Sequence, residues 1–145
     1  MRILIQRVQE ASVEINQKIH TKIGPGLLIF IGIHKDDSQS QALYLSEKCL
    51  SLRIFQDDNQ RMNRSIRDIQ GDILVMSQFT LYGSCKAGTR PEFTQSAKAC
   101  EAESLYDFFV DELKKKHPLV KTGLFGKNMQ VKLTNDGPVT FIIEK

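Results

Sequence analysis

Residues 71–81 read Gly71-Asp72-Ile73-Leu74-Val75-Met76-Ser77-Gln78-Phe79-Thr80-Leu81. A Gly-Asp turn followed by four apolar residues predicts a buried strand. Three polar residues then occur within four positions, and an unpaired buried hydroxyl or amide would cost about 1–3 kcal/mol. Strand alternation would put Ser77, Phe79 and Leu81 on one face and Gln78, Thr80 and Tyr82 on the other. The segment is therefore either the solvated end of a core strand or part of a functional site.

The N-terminal region contains the other clear strand signals. Leu27–Ile33 is almost continuously apolar after the break Gly24-Pro25-Gly26, which predicts a central strand buried on both faces. Arg2–Val8 is expected to form a first strand, and residues 12–15 a second. Asn16-Gln17 is expected to turn the chain into a further strand, Lys18–Ile23.

Two helices are predicted. Ser38 and Gln41 have the spacing of a capping box, and apolar residues recur at helical intervals up to Leu52. The second helix, Ala97–Lys116, ends in three lysines and is stopped by Pro118. Between the helices, Arg53–Phe55 is expected to be a short strand.

The end of the chain is expected to be strand again. Residues 129–134 alternate as a strand, Asn135-Asp136-Gly137-Pro138 is the sharpest turn signal in the chain, and Val139–Ile143 is expected to close the sheet. The predicted class is α/β (α+β): one strand-rich domain over residues 1–145, with a barrel-like mixed or antiparallel sheet and two main helices.

Composition narrows the function classes only modestly. A chain of 145 residues with a net charge of +3 can bind a polyanion but need not do so. Its three cysteines are an odd number without paired spacing, which is typical of a reducing compartment. No run of residues approaches membrane-spanning length, so we expect a cytoplasmic protein that does not bind a membrane.

The sequence lacks the common cofactor and catalytic motifs. The histidines, His20, His34 and His117, are far apart, and no Cys-x-x-Cys or phosphate-binding glycine loop occurs, so we expect neither a metal nor a cofactor. Ser77 and Thr80 lie outside any G-x-S-x-G elbow, and Cys85 has no evident histidine partner.

Two other segments have a functional and a structural interpretation. Residues 83–91 form a basic, glycine-rich connection, which indicates either a mobile linker or a working surface. Gly137-Pro138 is either an ordinary turn or a rigid tip that presents two parallel backbone carbonyls, since X-Pro bonds can be cis at modest cost.

Taken together, the motifs resemble the D-aminoacyl-tRNA deacylases from end to end. The resemblance rests on these segments, in order: Ile5-Gln6-Arg7-Val8, Ala11-Ser12-Val13, Gly24–Leu28, Leu52–Phe55, Met62-Asn63, Ser77–Tyr82, Gly88-x-Arg90-Pro91, Thr122–Met129 and Asn135–Thr140. After Tyr82, many members have Ala-Asp and a basic pair, whereas this chain has Gly83-Ser84-Cys85-Lys86.

The resemblance implies a homodimeric hydrolase without a cofactor. Its substrate would be a D-amino acid, or glycine, esterified to the 3′-terminal adenosine of tRNA. Each site would lie at the dimer interface and would pair Ser77, Gln78, Phe79 and Thr80 of one subunit with Gly137 and Pro138 of the other. The cis Gly-Pro carbonyls would accept the substrate's α-amino group and exclude an L side chain.

Further roles follow from the same resemblance. Arg7 would buttress the Gly-Pro loop, Met129 would lie beside the substrate pocket, and Lys86 and Arg90 are expected to contact tRNA. The ribose 2′-OH of the tRNA is expected to help activate water, because no base for Thr80 as a nucleophile is evident. Two alternatives remain open: a tRNA-binding dimer without activity, and a dimeric scaffold whose polar residues satisfy one another.

Overall fold

Two parallel strands form the centre of the sheet in the computed structural model, which describes all 145 residues. They are β3 (Gly26–Gly32) and β6 (Asp72–Ser77), paired from Gly26 with Asp72 to Ile31 with Ser77. Strands buried on both faces need continuous apolar runs, and almost every residue of the two strands is buried. Both predictions of a buried strand are confirmed.

The remaining strands nearly close this sheet into a barrel. β1 (Arg2–Ile15) runs antiparallel to β3, to β2 (Lys18–Ile23) and to β8 (Gln130–Glu144). β7 (Val120–Thr122) runs parallel to β6, and β2 contacts both β6 and β7. The result is a mixed α+β fold with a barrel-like sheet.

Helices α1 (Gln39–Ser51) and α3 (Ala99–Lys116) pack against each other on the outside of this sheet. The capping box of α1 is present, with Ser38 and Gln41 as its members, as the spacing predicted. The short strand predicted at Arg53–Phe55 is found slightly later in the chain as β4 (Phe55–Gln56), which forms a small hairpin with β5 (Met62–Arg64). The strand β5 and a short helix, α2 (Ile66–Ile69), were not predicted. No helix is both long and apolar enough to cross a membrane.

Two groups of buried side chains follow from this architecture. The larger one lies between the sheet and the helices and includes Ile3, Ile5, Leu45 and Phe109. The smaller one joins alternate residues of the sheet, Val8, Ala11, Val13, Ile23, Leu28, Leu74 and Met76. Partly buried Met129 packs against the smaller group.

The prediction of two separate strands in residues 2–15 is wrong, because β1 is continuous. Its pairing with β8 shifts register between Gln6 and Val8 and again between Val8 and Glu10. These irregularities move Val8 and the later apolar residues into the smaller core group while Ile3 and Ile5 face the helices. A prediction based on strict alternation of buried and exposed residues treats such a change of phase as the end of one strand and the start of another.

The prediction of a chain-reversing turn at Asn135–Pro138 is also wrong. Thr140 pairs with Gln6 and Asn135 pairs with Val8, so both ends of this segment lie along the same strand in the same direction. The four residues 136–139 therefore stand opposite Arg7 alone. They form a wide bulge within β8, which we call the β8 bulge, and the Gly137–Pro138 peptide bond within it is cis.

Candidate active site

The polar segment after β6 forms a turn of 3₁₀ helix, Phe79–Tyr82, which we call the site turn. The predicted strand alternation through Leu81 is therefore wrong. β7 stops pairing with β6 at Val75, and β3 ends at Gly32, so no strand remains to accept hydrogen bonds beyond Ser77. The turn satisfies its own groups instead, through Leu81 N–H to the Gln78 carbonyl at 3.1 Å.

Two contacts hold the site turn against the sheet. Gly32 lies beneath it, and a Cβ there would come within 2.9 Å of the Leu81 side chain and 3.2 Å of the Gln78 carbonyl. The Arg2 guanidinium donates to the Leu81 carbonyl and lies 4.8 Å from the centre of the Tyr82 ring. The site turn is thus held beside the N-terminal end of β1, where Arg2 lies.

Most polar groups of the site turn already have partners. Gln78 N–H donates to the Ile31 carbonyl at 2.8 Å, and the Gln78 amide donates to the Thr80 hydroxyl. The Phe79 carbonyl accepts from the Ser96 hydroxyl at 3.1 Å. The first N–H groups of a helical turn have no acceptor within that turn, which leaves the Phe79 and Thr80 N–H groups as candidate donors to a ligand. The Gln78 N–H is not free for this role, because it already donates to the Ile31 carbonyl.

A cavity of about 590 Å³ opens beside the site turn, and we call it the site pocket. Its size falls within the range of about 300–1,000 Å³ that is usual for small-ligand pockets. Most lining residues are apolar, and they include Phe30, Phe93, Ala102, Phe125, Met129 and Val131, while Ser77, Gln78 and Phe79 form one wall. The Phe79 and Phe93 rings meet edge to face at 5.0 Å, and the exposed fraction of Phe79 is 56%.

The site pocket contains no group suited to act as a base near neutral pH. Its lining includes no Asp, Glu, His, Cys or Tyr, and Lys127 is its one charged residue. Tyr82 lies on the far end of the site turn, where burial and the Asp37 carboxylate raise its pKa to about 12. No three His, Cys, Asp or Glu side chains cluster closely enough to hold a metal ion.

The β8 bulge is held by the buried side chain of Arg7. Arg7 Nε donates to the Asp136 carbonyl at 3.0 Å and lies 2.9 Å from the Asp136 carboxylate, and Nη1 donates to the Ile54 carbonyl at 2.6 Å. From inside the bulge, the Asn135 amide donates to the carbonyls of Arg7 and Val139. A Cβ on Gly137 would lie 2.1 Å from the Asn135 amide oxygen, so this position needs glycine.

One chain brings some of the predicted site residues together and keeps others apart. Ser77, Gln78, Phe79 and Met129 line the site pocket, and Thr80 follows in the same turn. The β8 bulge is anchored at Arg7, whereas the site turn is anchored at Arg2. These anchors are five residues apart on β1, about 17 Å along an extended strand. Within one chain, Gly137 and Pro138 therefore do not line the site pocket.

Lys86 and Arg90 lie on the exposed loop beyond a bridge between Ser84 and Glu92. Two backbone hydrogen bonds of 2.9 Å close this bridge, and neither cation lines the site pocket. The loop therefore projects from the pocket side of the site turn as a separate surface.

Comparison with known proteins places the chain in a family. The family model described as D-Tyr-tRNA(Tyr) deacylase matches residues 4–144. The chain belongs to this family. A D-aminoacyl-tRNA deacylase of Protochlamydia amoebophila (strain UWE25) is 54% identical over 99% of this chain and 95% of the relative. One of Bacillus cytotoxicus is 49% identical over 99% of both chains.

Solved structures share the fold of this chain. A structure titled c-Myc DNA Unwinding Element Binding Protein superposes with a TM-score of 0.94 at 37% identity, covering 100% of this chain and 99% of the other. A probable eukaryotic D-amino acid tRNA deacylase superposes with a TM-score of 0.83 at 18% identity, over 98% and 97% of the two chains. The second likeness concerns the fold alone.

Several pocket residues of this deacylase-family chain were not predicted from its sequence. The sequence around Phe93 and Lys127 predicts only turns and loops, so neither residue could be assigned to a pocket. Phe125 and Ala102 have the pattern of side chains buried in a hydrophobic core. Their common location depends on how α3 and the loop after β7 pack around the end of β6, and no local pattern encodes that packing.

The buried contacts of Arg7 predict that Arg7→Met loosens the β8 bulge. The substitution leaves the Ile54 and Asp136 carbonyls without their donor, so we expect a loss of about 2–4 kcal/mol in the free energy of unfolding, measured in urea. Amide hydrogen exchange should accelerate in residues 135–139.

Arg61→Met is the matched control, because Arg61 is exposed and its side chain has no polar partner. Equal stability of the two variants, with unchanged exchange in the bulge, would contradict this role of Arg7.

Proposed function

We propose that this chain hydrolyses the ester that joins a D-amino acid to the 3′-terminal adenosine of tRNA, releasing the free D-amino acid and tRNA. The observation that carries the proposal is the site pocket, a largely apolar cavity of about 590 Å³ whose polar wall is formed by Ser77 and Gln78, just before the site turn. Membership of the deacylase family supports the same reaction. A protein that acts on aminoacyl-tRNA is expected to work in the cytoplasm.

The terminal adenosine occupies the site pocket in this proposal. Apolar and aromatic walls suit the faces of a purine, and Met129 adds a polarisable thioether. Ser77 and Gln78 offer polar atoms for the ribose and the ester. The scissile carbonyl then lies at the site turn, next to the N–H group of Phe79.

The reaction needs an oxyanion donor and an activated water. The Phe79 N–H is positioned to donate to the developing oxyanion, and one such donor is worth roughly 10²- to 10³-fold in rate. Because the pocket lining has no acid, histidine or thiol, we assign the activation of water to the ribose 2′-OH of the tRNA itself. The water oxygen bonds to the acyl carbon, the bond between the acyl carbon and the 3′-oxygen breaks, and the 3′-oxygen leaves with the proton that the water gives up through the 2′-OH.

Thr80 acts as a positioning residue in this account. Its hydroxyl accepts a hydrogen bond from the Gln78 amide, and no base lies where it could remove the hydroxyl proton. A nucleophilic Thr80 would require such a base. Thr80 instead restrains the orientation of Gln78 at the mouth of the pocket.

Gly137 and Pro138 of a second copy supply the filter for chirality. Their backbone carbonyls would accept the substrate's α-amino group, and the rigid wall would leave no space for an L side chain, while a D side chain points outward. Glycine has no side chain to exclude, so glycine mischarged on tRNA(Ala) is also a proposed substrate. Arg7 and Asn135 keep the wall rigid by bonding the bulge from both sides.

The second copy is needed because the bulge and the pocket are held at separate places in one chain. β8 has β1 as its one strand partner, so its other edge is unpaired, and it exposes Leu133, Phe141 and Ile142. An exposed apolar edge strand is a surface that association would cover. We therefore propose a homodimer that brings the β8 bulge of one copy to the pocket of the other, with Lys86 and Arg90 facing the tRNA.

Separate assays with D- and L-aminoacyl-tRNA test this function. We expect the D ester, and glycyl-tRNA(Ala), to be hydrolysed at least roughly 100-fold faster than the L ester, because the filter excludes the L side chain sterically. Release of labelled amino acid from D-tyrosyl- and L-tyrosyl-tRNA under single turnover gives both rates. Equal rates would refute the filter, and tRNA binding without hydrolysis would favour a binding protein.

Replacing Thr80 tests its assignment as a positioning residue. We expect Thr80→Val to retain turnover of D-tyrosyl-tRNA within about tenfold of the wild type, because no covalent step uses the hydroxyl; loss of a nucleophile typically costs 10⁴-fold or more. Thr94→Val is the control, since Thr94 bonds Glu92 outside the site pocket. Near-complete loss in Thr80→Val with unchanged tRNA binding would make Thr80 the nucleophile.

A further inference from the structure

Lys127 holds the one formal charge among the residues that line the site pocket. The pocket has no carboxylate, and the Lys127 ammonium takes part in no ion pair of the chain. Four other lysines are neutralised in part, since Lys22, Lys115, Lys116 and Lys132 each lie within 2.8 Å of a glutamate oxygen. Lys127 thus faces an otherwise neutral, largely apolar cavity as an unpaired cation.

The loop that carries Lys127 is tied to the pocket wall. The Lys127 N–H donates to the Leu124 carbonyl at 3.4 Å, which closes a turn over residues 124–127. The Leu124 N–H lies 3.3 Å from the thioether sulfur of Met129, itself part of the lining. These two hydrogen bonds fix the backbone that carries Lys127 beside the pocket, and the Lys127 side chain is exposed there.

The chemistry of the proposed substrate supplies one matching anion. An adenosine in the pocket is neutral, its 3′ side carries the ester at the site turn, and its 5′ side continues through one phosphodiester toward the rest of the tRNA. That phosphodiester must leave through the mouth of the pocket and stays partly in solvent. A lysine at the rim pairs with such a phosphate as a point charge.

We propose that Lys127 binds the 5′-phosphate of the terminal adenosine and so fixes how deeply the nucleoside enters the pocket. This inference rests on the proposed function and adds a positioning residue to it. Contact with a phosphate gives no sequence preference, which suits an enzyme that must accept many tRNAs ending in the same nucleotide. An alternative role in stabilising the oxyanion would place the ammonium at the ester instead.

A pair of minimal substrates separates these roles. The first is 3′-O-(D-tyrosyl)adenosine, which lacks the phosphate, and the second is the same ester of adenosine 5′-monophosphate. With wild-type protein we expect KM to be roughly five- to twentyfold lower for the phosphorylated ester at low salt, with similar kcat. Lys127→Gln should raise the KM of the phosphorylated ester to that of the unphosphorylated ester, and Lys127→Arg should restore the difference.

Lys18→Gln is the matched control, because it removes the same charge from an exposed lysine that does not line the pocket. Salt dependence gives a second measurement: raising the salt concentration should weaken the effect of the 5′-phosphate on KM in the wild type, because salt screens an exposed ion pair, and should have no corresponding effect in Lys127→Gln.

Each remaining outcome has one meaning. Failure of the wild-type protein to hydrolyse D-tyrosyl-tRNA refutes the proposed function itself, whereas hydrolysis of that tRNA but of neither ester overturns only the claim that the phosphate of the terminal nucleotide sets its position. Hydrolysis of both esters with equal KM overturns the phosphate contact alone, as does a phosphate effect that persists in Lys127→Gln. An equal loss on both esters in that variant would assign Lys127 to the reaction centre or to the structure of the pocket, and would likewise overturn the inference.

Discussion

The buried guanidinium of Arg7 is the constraint on which the arrangement of the site depends. A buried charge must be paired and hydrogen-bonded, and Arg7 meets this requirement with the Asp136 carboxylate and the carbonyls of Asp136 and Ile54. The two acceptors of Asp136 come from the paired strand β8, in the bulge where four of its residues stand opposite Arg7, and the Ile54 carbonyl comes from the segment before β4. The irregular backbone around Gly137 and Pro138 is thus a consequence of satisfying one charge within a continuous pair of strands.

The same strand pair separates the two halves of the proposed site. The site turn is anchored near Arg2 and the bulge near Arg7, so a chain that displays both cannot combine them alone. The pocket offers hydrogen-bond donors, apolar walls and one rim cation, but no base. Such a site does little chemistry with its own side chains. In the proposed function, its contribution would be to position an ester that carries its own 2′-hydroxyl and to exclude the wrong stereoisomer.

The sequence patterns predicted those elements whose formation depends on their own residues and near neighbours. The strand at Leu27–Ile33 needs a continuous apolar run because both its faces are buried, and α1 needs its Ser38–Gln41 cap. The turn after Ser77 could not be predicted in this way, since it depends on the missing side chain of Gly32 in another strand. The Asn-Asp-Gly-Pro signal has the same sequence in a hairpin and in a bulge, and the distant Arg7 decides between them. The family resemblance was what linked these separate segments.

Complementation between two inactive variants tests most directly whether the site is shared. Gly137→Ala should distort the bulge, because its Cβ meets the Asn135 amide, and Ala102→Trp should fill the pocket. Each homodimer, checked for folding by circular dichroism, should be inactive on D-tyrosyl-tRNA. A heterodimer isolated with two different tags has one unaltered pocket facing one unaltered bulge, so the account predicts about half of wild-type turnover. An inactive heterodimer, or a protein that forms no dimer, would contradict it.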